Sequence, residues 1–318
     1  MGLITKYGTI WGAVPNTAGR VMWVAPTSPY LVEGRAYDAS DGNDGLSPER
    51  ALATINRAAT VLVTANAGDV VVMLPGTHVL TAAVTASTAG VTYMGLPSGA
   101  GNKIRQKTVV QASASAACFN ITAADCELGY LHMAPTTAND AVTLAAGGTR
   151  TYIHHCSFDM YTPAASTSTL GINATGAASN VLIETCVFMS SGAQGAAVDL
   201  TATLDSIVSD CDFMQRGGVW AAALTIGAAT NRCVVRRCMF QASGISVTMT
   251  AGIEGAGSTS SAAAFLAGNF FGAPANTGGL VLTPINGFGT SSAQIVENYR
   301  AIADITTSGT SSLIVLID

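Results

Sequence analysis

Short apolar runs separated by polar corner residues recur along most of this chain. Four of the runs share the pattern apolar-x-x-Cys-x-Phe, with the three named positions at fixed offsets. These runs begin at Ile153, Ile183, Val208 and Val235, and their cysteines follow one another at intervals of 30, 25 and 27 residues. A weaker copy places Asn269 in the cysteine position, and an earlier one fits loosely if Gly129 occupies it. Such regular recurrence indicates a repeat architecture.

Each repeat also holds further short strand-like segments, with Gly, Ala, Thr and Asn between them. Repeats of this length built only from short strands are typical of a parallel β-helix, in which like residues stack from coil to coil about 4.8 Å apart. Counted from Val70, the chain would form eight or nine coils. A sandwich of short strands is the alternative, but it does not explain the recurring positions. The inward core ladder would consist of Cys156, Cys186, Cys211, Cys238, Phe158, Phe188, Phe213 and Phe240.

The region before the repeats divides into two parts. Residues 1–37 are rich in aromatic side chains and broken by prolines, which predicts an extended segment that docks onto a partner. Its partner-binding residues would be Tyr7, Trp11, Trp23 and Tyr30. Residues 38–68 contain an Asp-Gly-rich turn and then apolar residues at helical spacing, with Ser47 as the helix cap and Pro48 in its first turn. Residues 69–318 would form the β-helix.

The turn at residues 37–48 and the pattern Ala-x-x-Thr-Ile-x-x-Ala at residues 51–58 resemble the start of pectate-lyase-like right-handed β-helix domains. The elements Gly68-Asp69 and Leu74-Pro75-Gly76-Thr77 are also similar, and the resemblance covers about residues 37–300. It implies an all-β chain, a right-handed parallel β-helix with a short N-terminal capping helix. The superfamily includes polysaccharide lyases and hydrolases, but also phage tailspikes and virion surface proteins without catalysis, which are typically trimers.

Charged residues make up 10% of the 318 residues, against 49% hydrophobic residues, and the net charge is −5. The apolar residues are largely alanines mixed with Ser, Thr and Gly, which is usual for stacked β structure or a tightly assembled particle. Without a basic excess, binding to nucleic acid is not expected. No apolar run reaches the length of about 18 residues that membrane insertion needs. The first residues do not resemble a signal peptide, which favours assembly in the host cytoplasm over secretion.

Few residues suggest catalysis. The residues before the cysteines would form two exposed ladders, His154-Glu184-Ser209-Arg236 and His155-Thr185-Asp210-Arg237. Charges that alternate down a ladder are ordinary surface pairing. Glu184 and Asp210, on adjacent coils, are the weak candidates for a catalytic carboxylate pair, which would need roughly 5–10 Å between the two groups. No other catalytic residue is expected.

Metal and cofactor sites are not expected either. The seven cysteines lack the C-x-x-C spacing of zinc sites, and the core ladder explains four of them. The segment Asp41-Gly42-Asn43-Asp44-Gly45 mimics the start of a calcium loop, but Leu52 stands where the bidentate Glu belongs. The clustered Asp pattern of pectate lyases is also missing, which disfavours a secreted pectate lyase.

The sequence thus favours a non-enzymatic phage virion structural protein at the particle surface, either a trimeric spike or a capsid decoration protein. Its partners would be further copies of the chain and other capsid or tail proteins. The alternative is a tailspike depolymerase, a glycoside hydrolase or lyase that acts on host surface glycan during host attachment.

Overall fold

The structure is a computed structural model and describes residues 19–63, 68–96, 106–112, 116–135, 139–160, 170–174, 176–190, 195–227, 232–242, 248–256, 264–272, 280–286, 293–303 and 312–317. Two of the predicted partner-binding residues, Tyr7 and Trp11, lie outside these ranges. The described chain begins with β1 (Val21–Val24), β2 (Tyr30–Val32) and β3 (Arg35–Tyr37). A 3₁₀ turn at Pro48–Arg50 and a short helix, α1 (Ile55–Arg57), follow, and a π-type turn at Ala58–Leu62 extends α1.

The next strands follow one another in sets of three, one set for each coil. The first four coils contain β4 (Val70–Met73), β5 (Gly76–Leu80), β6 (Val84–Ala86), β7 (Thr92–Gly95), β8 (Thr108–Ala112), β9 (Phe119–Ile121), β10 (Glu127–Gly129), β11 (His132–Pro135), β12 (Val142–Leu144), β13 (Tyr152–His154), β14 (Ser157–Met160) and β15 (Ile172–Asn173). The next four contain β16 (Leu182–Glu184), β17 (Val187–Ser190), β18 (Val198–Leu200), β19 (Ile207–Ser209), β20 (Asp212–Gln215), β21 (Val219–Gly227), β22 (Val234–Arg236), β23 (Met239–Ala242), β24 (Thr248–Ala256), β25 (Ala264–Ala267), β26 (Phe270–Gly272) and β27 (Leu280–Asn286). The last strands are β28 (Ala293–Val296), β29 (Asn298–Ala303) and β30 (Ser312–Ile317).

Strands in equivalent positions of successive coils pair in parallel and form three long sheets. The first sheet has ten strands, β1 and every third strand from β4 to β28. The second has ten, every third strand from β5 to β29 plus the antiparallel β30, and the third has eight, from β6 to β27. This arrangement is the parallel β-helix that the repeat predicted. The expected count of eight or nine coils differs slightly from the ten strands of the first sheet, because β1 pairs with β4 and adds a strand before the first full coil.

Residues in equivalent positions stack inside the coils. The five buried rings of Phe158, Phe188, Phe213, Phe240 and Phe271 form one column, with neighbouring centroids 4.6–4.9 Å apart and ring planes within 11° of each other. The four cysteines of the predicted ladder, Cys156, Cys186, Cys211 and Cys238, are buried as well. In the preceding coil Gly129 lies opposite His154, so the register places Leu131, and not Gly129, in the cysteine position.

The cysteine position is polar as well as small. The Sγ of Cys211 lies 3.2 Å from the carbonyl oxygen of Ser209, and the other three ladder thiols lie 3.3–3.4 Å from the equivalent carbonyls. In the following coils Asn269 and Asn298 take this position. The Asn269 side chain accepts from the backbone amide of Cys238 at 3.0 Å and donates to Asn298 Oδ1 at 2.9 Å. Side chains in this position therefore hydrogen-bond to the backbone, in addition to filling the core as predicted.

Seven turns from the first sheet into the second, from the turn after β10 to the turn after β28, each pass through one residue in the left-handed region, with φ between 51° and 63°. These bend residues are Tyr130, His155, Thr185, Asp210, Arg237, Gly268 and Glu297. The conformation directs the backbone amide of the bend residue at the next coil. His155 N donates to Glu184 O at 3.2 Å, and Arg237 N donates to Ala267 O at 3.0 Å. Backbone hydrogen bonding between coils thus continues around the corner.

The capping helix begins later than predicted. α1 starts after Thr54, whose hydroxyl accepts from the amide of Arg57, whereas Ser47 makes no side-chain cap bond. The helix begins later because the backbone of Leu52 is hydrogen-bonded to β1. Leu52 N donates to Trp23 O at 2.8 Å, and the amide of Ala25 donates to Leu52 O at 3.0 Å. Pairing with a distant segment therefore prevails over the local helix signals.

Trp23 and Tyr30 are not exposed docking residues, contrary to the prediction. Their side chains are 2% and 7% exposed, and they pack with Val70 of β4 in a small buried cluster. The Tyr30 hydroxyl also donates to the carbonyl of Pro48 and accepts from the amide of Ala51 at 3.0 Å. Trp23 lies opposite Val72 on the face of the first sheet that is turned away from the main core, and Tyr30 and Val32 of β2 cover that face.

Candidate functional site

The turn from the first sheet into the second brings the predicted ladder residues together. The register aligns His154, Glu184, Ser209 and Arg236 in one row, and the bend residues form the next row. We call these two rows the corner ladder. The prediction that both rows are exposed is wrong for His154, which is 6% exposed, and for the fully buried Ser209. His154 is buried because Gly129 has no side chain, and a Cβ there would lie 2.8 Å from the imidazole.

A cluster of titratable side chains surrounds His154. Its Nε2 lies 2.8 Å from Glu127 Oε1, and its Nδ1 lies 3.0 Å from Nδ1 of His155. The ring of Tyr152 stacks on His154 with 4.4 Å between centroids, and the ring of Tyr130 stacks on His155 at 4.9 Å. We call these five residues the histidine cluster. Two coils contribute to it, because β10 and β13 are neighbours in the first sheet.

The pKa values in the histidine cluster follow from these contacts. The hydrogen bond to His154 lowers the pKa of Glu127, which also accepts from the Thr92 hydroxyl at 3.1 Å. Burial raises the pKa of both Tyr130 and Tyr152, and Glu184, which accepts the Tyr152 hydroxyl at 2.8 Å, raises that of Tyr152 further. Glu127 is therefore ionised and the tyrosines are protonated at neutral pH.

The two predicted carboxylate candidates, Glu184 and Asp210, both have partners within the corner ladder. Glu184 accepts from the Tyr152 hydroxyl and, at 3.5 Å, from the hydroxyl of Ser209. Asp210 accepts two hydrogen bonds from Arg237, at 2.8 and 2.6 Å, and this contact raises the pKa of Arg237. A carboxylate held through both oxygens by a guanidinium is poorly suited to deliver a proton. The geometry favours cohesion between coils over catalysis by this pair.

Sequence reasoning missed a third polar group, on the outer face of the third sheet. Asp140 accepts from the amide of Leu170 at 3.0 Å and from the side chain of Asn173 at 2.7 Å. Asn173 lies opposite Asp199 in the register. Burial raises the pKa of Asp140, and the nearby Asp199 adds to this effect. Strand alternation could have placed Asn173 and Asp199 on one outer face, whereas Asp140 precedes its strand and follows no pattern.

The part of the chain that the structure describes offers neither a cluster of metal ligands nor a reactive thiol. No group of three or more His, Cys, Asp or Glu side chains is placed there to hold a metal ion. The seven cysteines are buried and none forms a disulfide, and burial raises the pKa of Cys118 and Cys233 to about 12. Such thiols stay protonated and unreactive. None of the described helices is long and apolar enough to cross a membrane.

Comparison with known proteins identifies solved structures with a similar fold. Neither the models of protein families nor the curated proteins gave a match to this sequence. Among solved structures, a rhamnogalacturonan lyase is similar with a TM-score of 0.42 and 12% identity, over 88% of this chain and 87% of that chain. The pectin methylesterase PemA from Erwinia chrysanthemi has a TM-score of 0.41 and 10% identity, over 78% and 89%. ORF18 of Geobacillus virus E2 has a TM-score of 0.31 and 10% identity, over 78% and 57%. Similarities this distant carry no conclusion about activity.

Proposed function

We propose that this chain is a non-enzymatic structural protein of a phage particle, a trimeric β-helix spike or capsid decoration protein at the virion surface. One observation carries the proposal: at three corners of the described chain, charged side chains pair with one another from coil to coil. The pairs are Asp125–Arg150, Asp205–Arg232 and Asp210–Arg237. Each joins two adjacent coils through a bidentate contact, which suits a molecule whose task is to keep its shape.

The proposed trimer has a candidate contact face on the outside of the first sheet. Leu182, Ile207, Val234 and Phe265 lie opposite one another in four successive coils. The first three are half-buried, and Phe265 is 38% exposed. The apolar side chains of this row repeat at the coil spacing of about 4.8 Å. A partner surface can contact each of them equally only if its own side chains have the same spacing. A second copy of the chain has such a surface, which supports association between like chains.

Two measurements test this proposal. Mass spectrometry of purified particles of the phage that encodes the chain is expected to detect it, and light scattering of the purified chain is expected to give three times its 32.1 kDa mass. Val234→Arg places a charge in the apolar row and is expected to shift the mass toward the monomer. Thr225→Arg, on the outer face of the third sheet, is the matched control and is expected to leave the trimer intact. A monomer that is absent from purified particles would contradict the proposal.

A polysaccharide depolymerase is the second candidate, and the pairing of Asp140 with Asp199 is the observation that favours it. Glycoside hydrolysis needs one carboxyl group that keeps its proton beside a second carboxyl group, and burial raises the pKa of Asp140. The test is release of reducing ends from host surface polysaccharide by the purified chain. Release that is abolished in Asp140→Asn but retained in the matched Asp159→Asn would replace the structural proposal with this one.

A further inference from the structure

The two imidazoles of the histidine cluster meet through like atoms. Nδ1 of His154 lies 3.0 Å from Nδ1 of His155. In such a contact one nitrogen donates only while it carries a proton, and the other accepts only while it carries none. The contact therefore holds one proton and cannot hold two. It exists only while at least one of the two rings is neutral.

The carboxylate beside His154 determines which ring donates in the contact between the two imidazoles. Glu127 Oε1, from β10, lies 2.8 Å from Nε2 of His154, and the pKa of Glu127 is lowered by this hydrogen bond. The other Glu127 oxygen accepts from Thr92 of β7. An ionised Glu127 accepts a hydrogen bond from Nε2–H of His154, so in the neutral rings Nδ1 of His154 is the acceptor and Nδ1–H of His155 is the donor.

The remaining neighbours add one more carboxylate and several neutral groups. Tyr130 and Tyr152 stack on the two rings, and Glu184 of β16 accepts the Tyr152 hydroxyl. The thiol of Cys156 lies 3.3 Å from the carbonyl oxygen of His154, and the side chain of Gln106 donates to the carbonyl of His155 at 3.0 Å. None of these neighbours carries a positive charge.

A second proton would break the contact between the rings. With both Nδ1 atoms protonated, two donors and two positive charges would face each other at 3.0 Å. His154 cannot retreat, because it is 6% exposed and lies against Gly129, where even a Cβ would be 2.8 Å from the ring. His155 is half-buried and stands at a bend with φ 51°. His155 is therefore the ring that must move.

We infer that the His154–His155 pair is an acid-sensitive latch, in which one shared proton holds the bend after β13 against its neighbours and a second proton releases it. Release would loosen the two bonds that His155 makes with other coils, from its amide to Glu184 O at 3.2 Å and from Gln106 to its carbonyl. This inference goes beyond the proposed structural role and does not depend on it.

The direction of the pH effect follows from proton linkage. The unfolded chain takes up protons on both histidines near their ordinary pKa of about 6.5. The folded chain takes up the second proton only at lower pH, because that proton breaks the ring-to-ring bond. Between these two values the unfolded state binds more protons than the folded state, so stability falls as the pH falls. The stability from the latch is complete above the ordinary histidine pKa and is lost on acidification.

The experiment uses the small number of histidines in the chain, which is four. In protein labelled with ¹⁵N only in histidine, we expect a scalar coupling between two Nδ1 nuclei at neutral pH. We also expect the pair to titrate in two steps separated by more than about one pH unit, as strongly interacting groups do. The protection factors of the amides in β13 and β14, which are corrected for the intrinsic pH dependence of exchange, are expected to fall at least about tenfold below the second step, while those in β20 and β23 remain unchanged.

Two variants separate the latch from a general effect of acid. His155→Asn removes the second ring and keeps a residue type that tolerates the left-handed bend, so the acid step in amide exchange is expected to disappear. His132→Gln is the matched control, since it removes a half-buried imidazole that contacts Ser157 Oγ at 2.8 Å, and the acid step is expected to remain. Independent titration of His154 and His155 without nitrogen–nitrogen coupling overturns the inference, as does an acid step that survives in His155→Asn. If that variant does not fold, the coupling and titration of the unaltered chain decide the question.

Discussion

At the scale of single residues, the cysteine position shows how one buried site accepts two kinds of side chain. In four coils a thiol approaches a backbone carbonyl, and a thiol is a weak donor. Asn269 instead accepts from the amide of Cys238 and donates to the carbonyl of Val235 at 3.0 Å. A buried backbone group that loses its partner costs about 1–3 kcal/mol. The coils with asparagine therefore depend more on this one side chain than the coils with cysteine.

Asn269→Ala is expected to lower the free energy of unfolding by about 2–4 kcal/mol, because the amide of Cys238 and the carbonyl of Val235 both lose a partner. Cys211→Ala is the matched variant and is expected to lower it by about 1–2 kcal/mol, since it removes little volume and only weak hydrogen bonds. Denaturant unfolding followed by circular dichroism compares the two variants. Equal losses of unfolding free energy in the two variants would show that side-chain size alone determines the contribution of this position.

At the scale of elements, the bend is what allows strands of three or four residues to form sheets of eight to ten strands. The left-handed conformation costs a residue other than glycine roughly 1–2 kcal/mol. The chain accepts this at most of its bends because the bend amide then bonds to the next coil. Asp210 is of a type that tolerates the conformation, and Gly268 has no steric penalty, whereas Thr185 is β-branched. Thr185, at φ 54°, is therefore a bend residue whose type fits its backbone poorly.

Thr185→Asn is expected to stabilise the chain by about 0.5–1 kcal/mol, because asparagine adopts the left-handed region more readily than a β-branched residue. The melting temperature measured by calorimetry is expected to rise. Thr225→Asn, in the middle of β21, is the matched control and is expected to be neutral or destabilising, since asparagine is depleted in strands. A lower melting temperature for Thr185→Asn would show that the threonine is not strained at this bend.

Sequence patterns could predict those elements whose stability comes from like residues in equivalent positions. The recurring Cys and Phe positions fix the coil register, and the rows of the corner ladder follow from that register. The start of α1 could not be predicted, because Leu52 pairs with β1 across the fold. The burial of His154 was missed for a similar reason, since it depends on the missing side chain of Gly129 in another coil. Local sequence signals predict an element correctly where no residue distant in the sequence competes for the same backbone groups.

At the scale of the whole molecule, the β-helix is a linear stack in which each coil contacts mainly the coils before and after it. One end of the stack is closed by β1, the 3₁₀ turn and α1, and a small separate cluster that includes Trp23 and Tyr30 packs on the face of β1 and β4 turned away from the main core. In such a stack the loss of one contact weakens the nearest coils first. The closing residues are therefore expected to protect the first coils more than the rest.

Tyr30→Phe tests whether the stack responds locally. The change leaves the buried amide of Ala51 without its acceptor, at 3.0 Å in the unaltered chain, and such a loss costs about 1–3 kcal/mol. Amide exchange is expected to accelerate about tenfold or more in β4, β5 and β6, and to remain unchanged in β20, β21 and β22. Tyr37→Phe, in the neighbouring β3, is the matched control and is expected to have no effect. Equal acceleration in all coils would show that the stack opens as one unit.

The repeated bends have a consequence for how such a molecule evolves. The coils from β10 onward turn from the first sheet into the second through the same backbone geometry and present equivalent inward positions to both neighbours. Tandem duplication or deletion of one coil in the gene would thus change the length of the molecule without reworking either end. The cysteine intervals of 30, 25 and 27 residues are consistent with duplicated copies that diverged in their corner loops and kept their inward positions. The molecule would then grow or shrink by whole coils, while substitutions and insertions in the corner loops could create new surfaces.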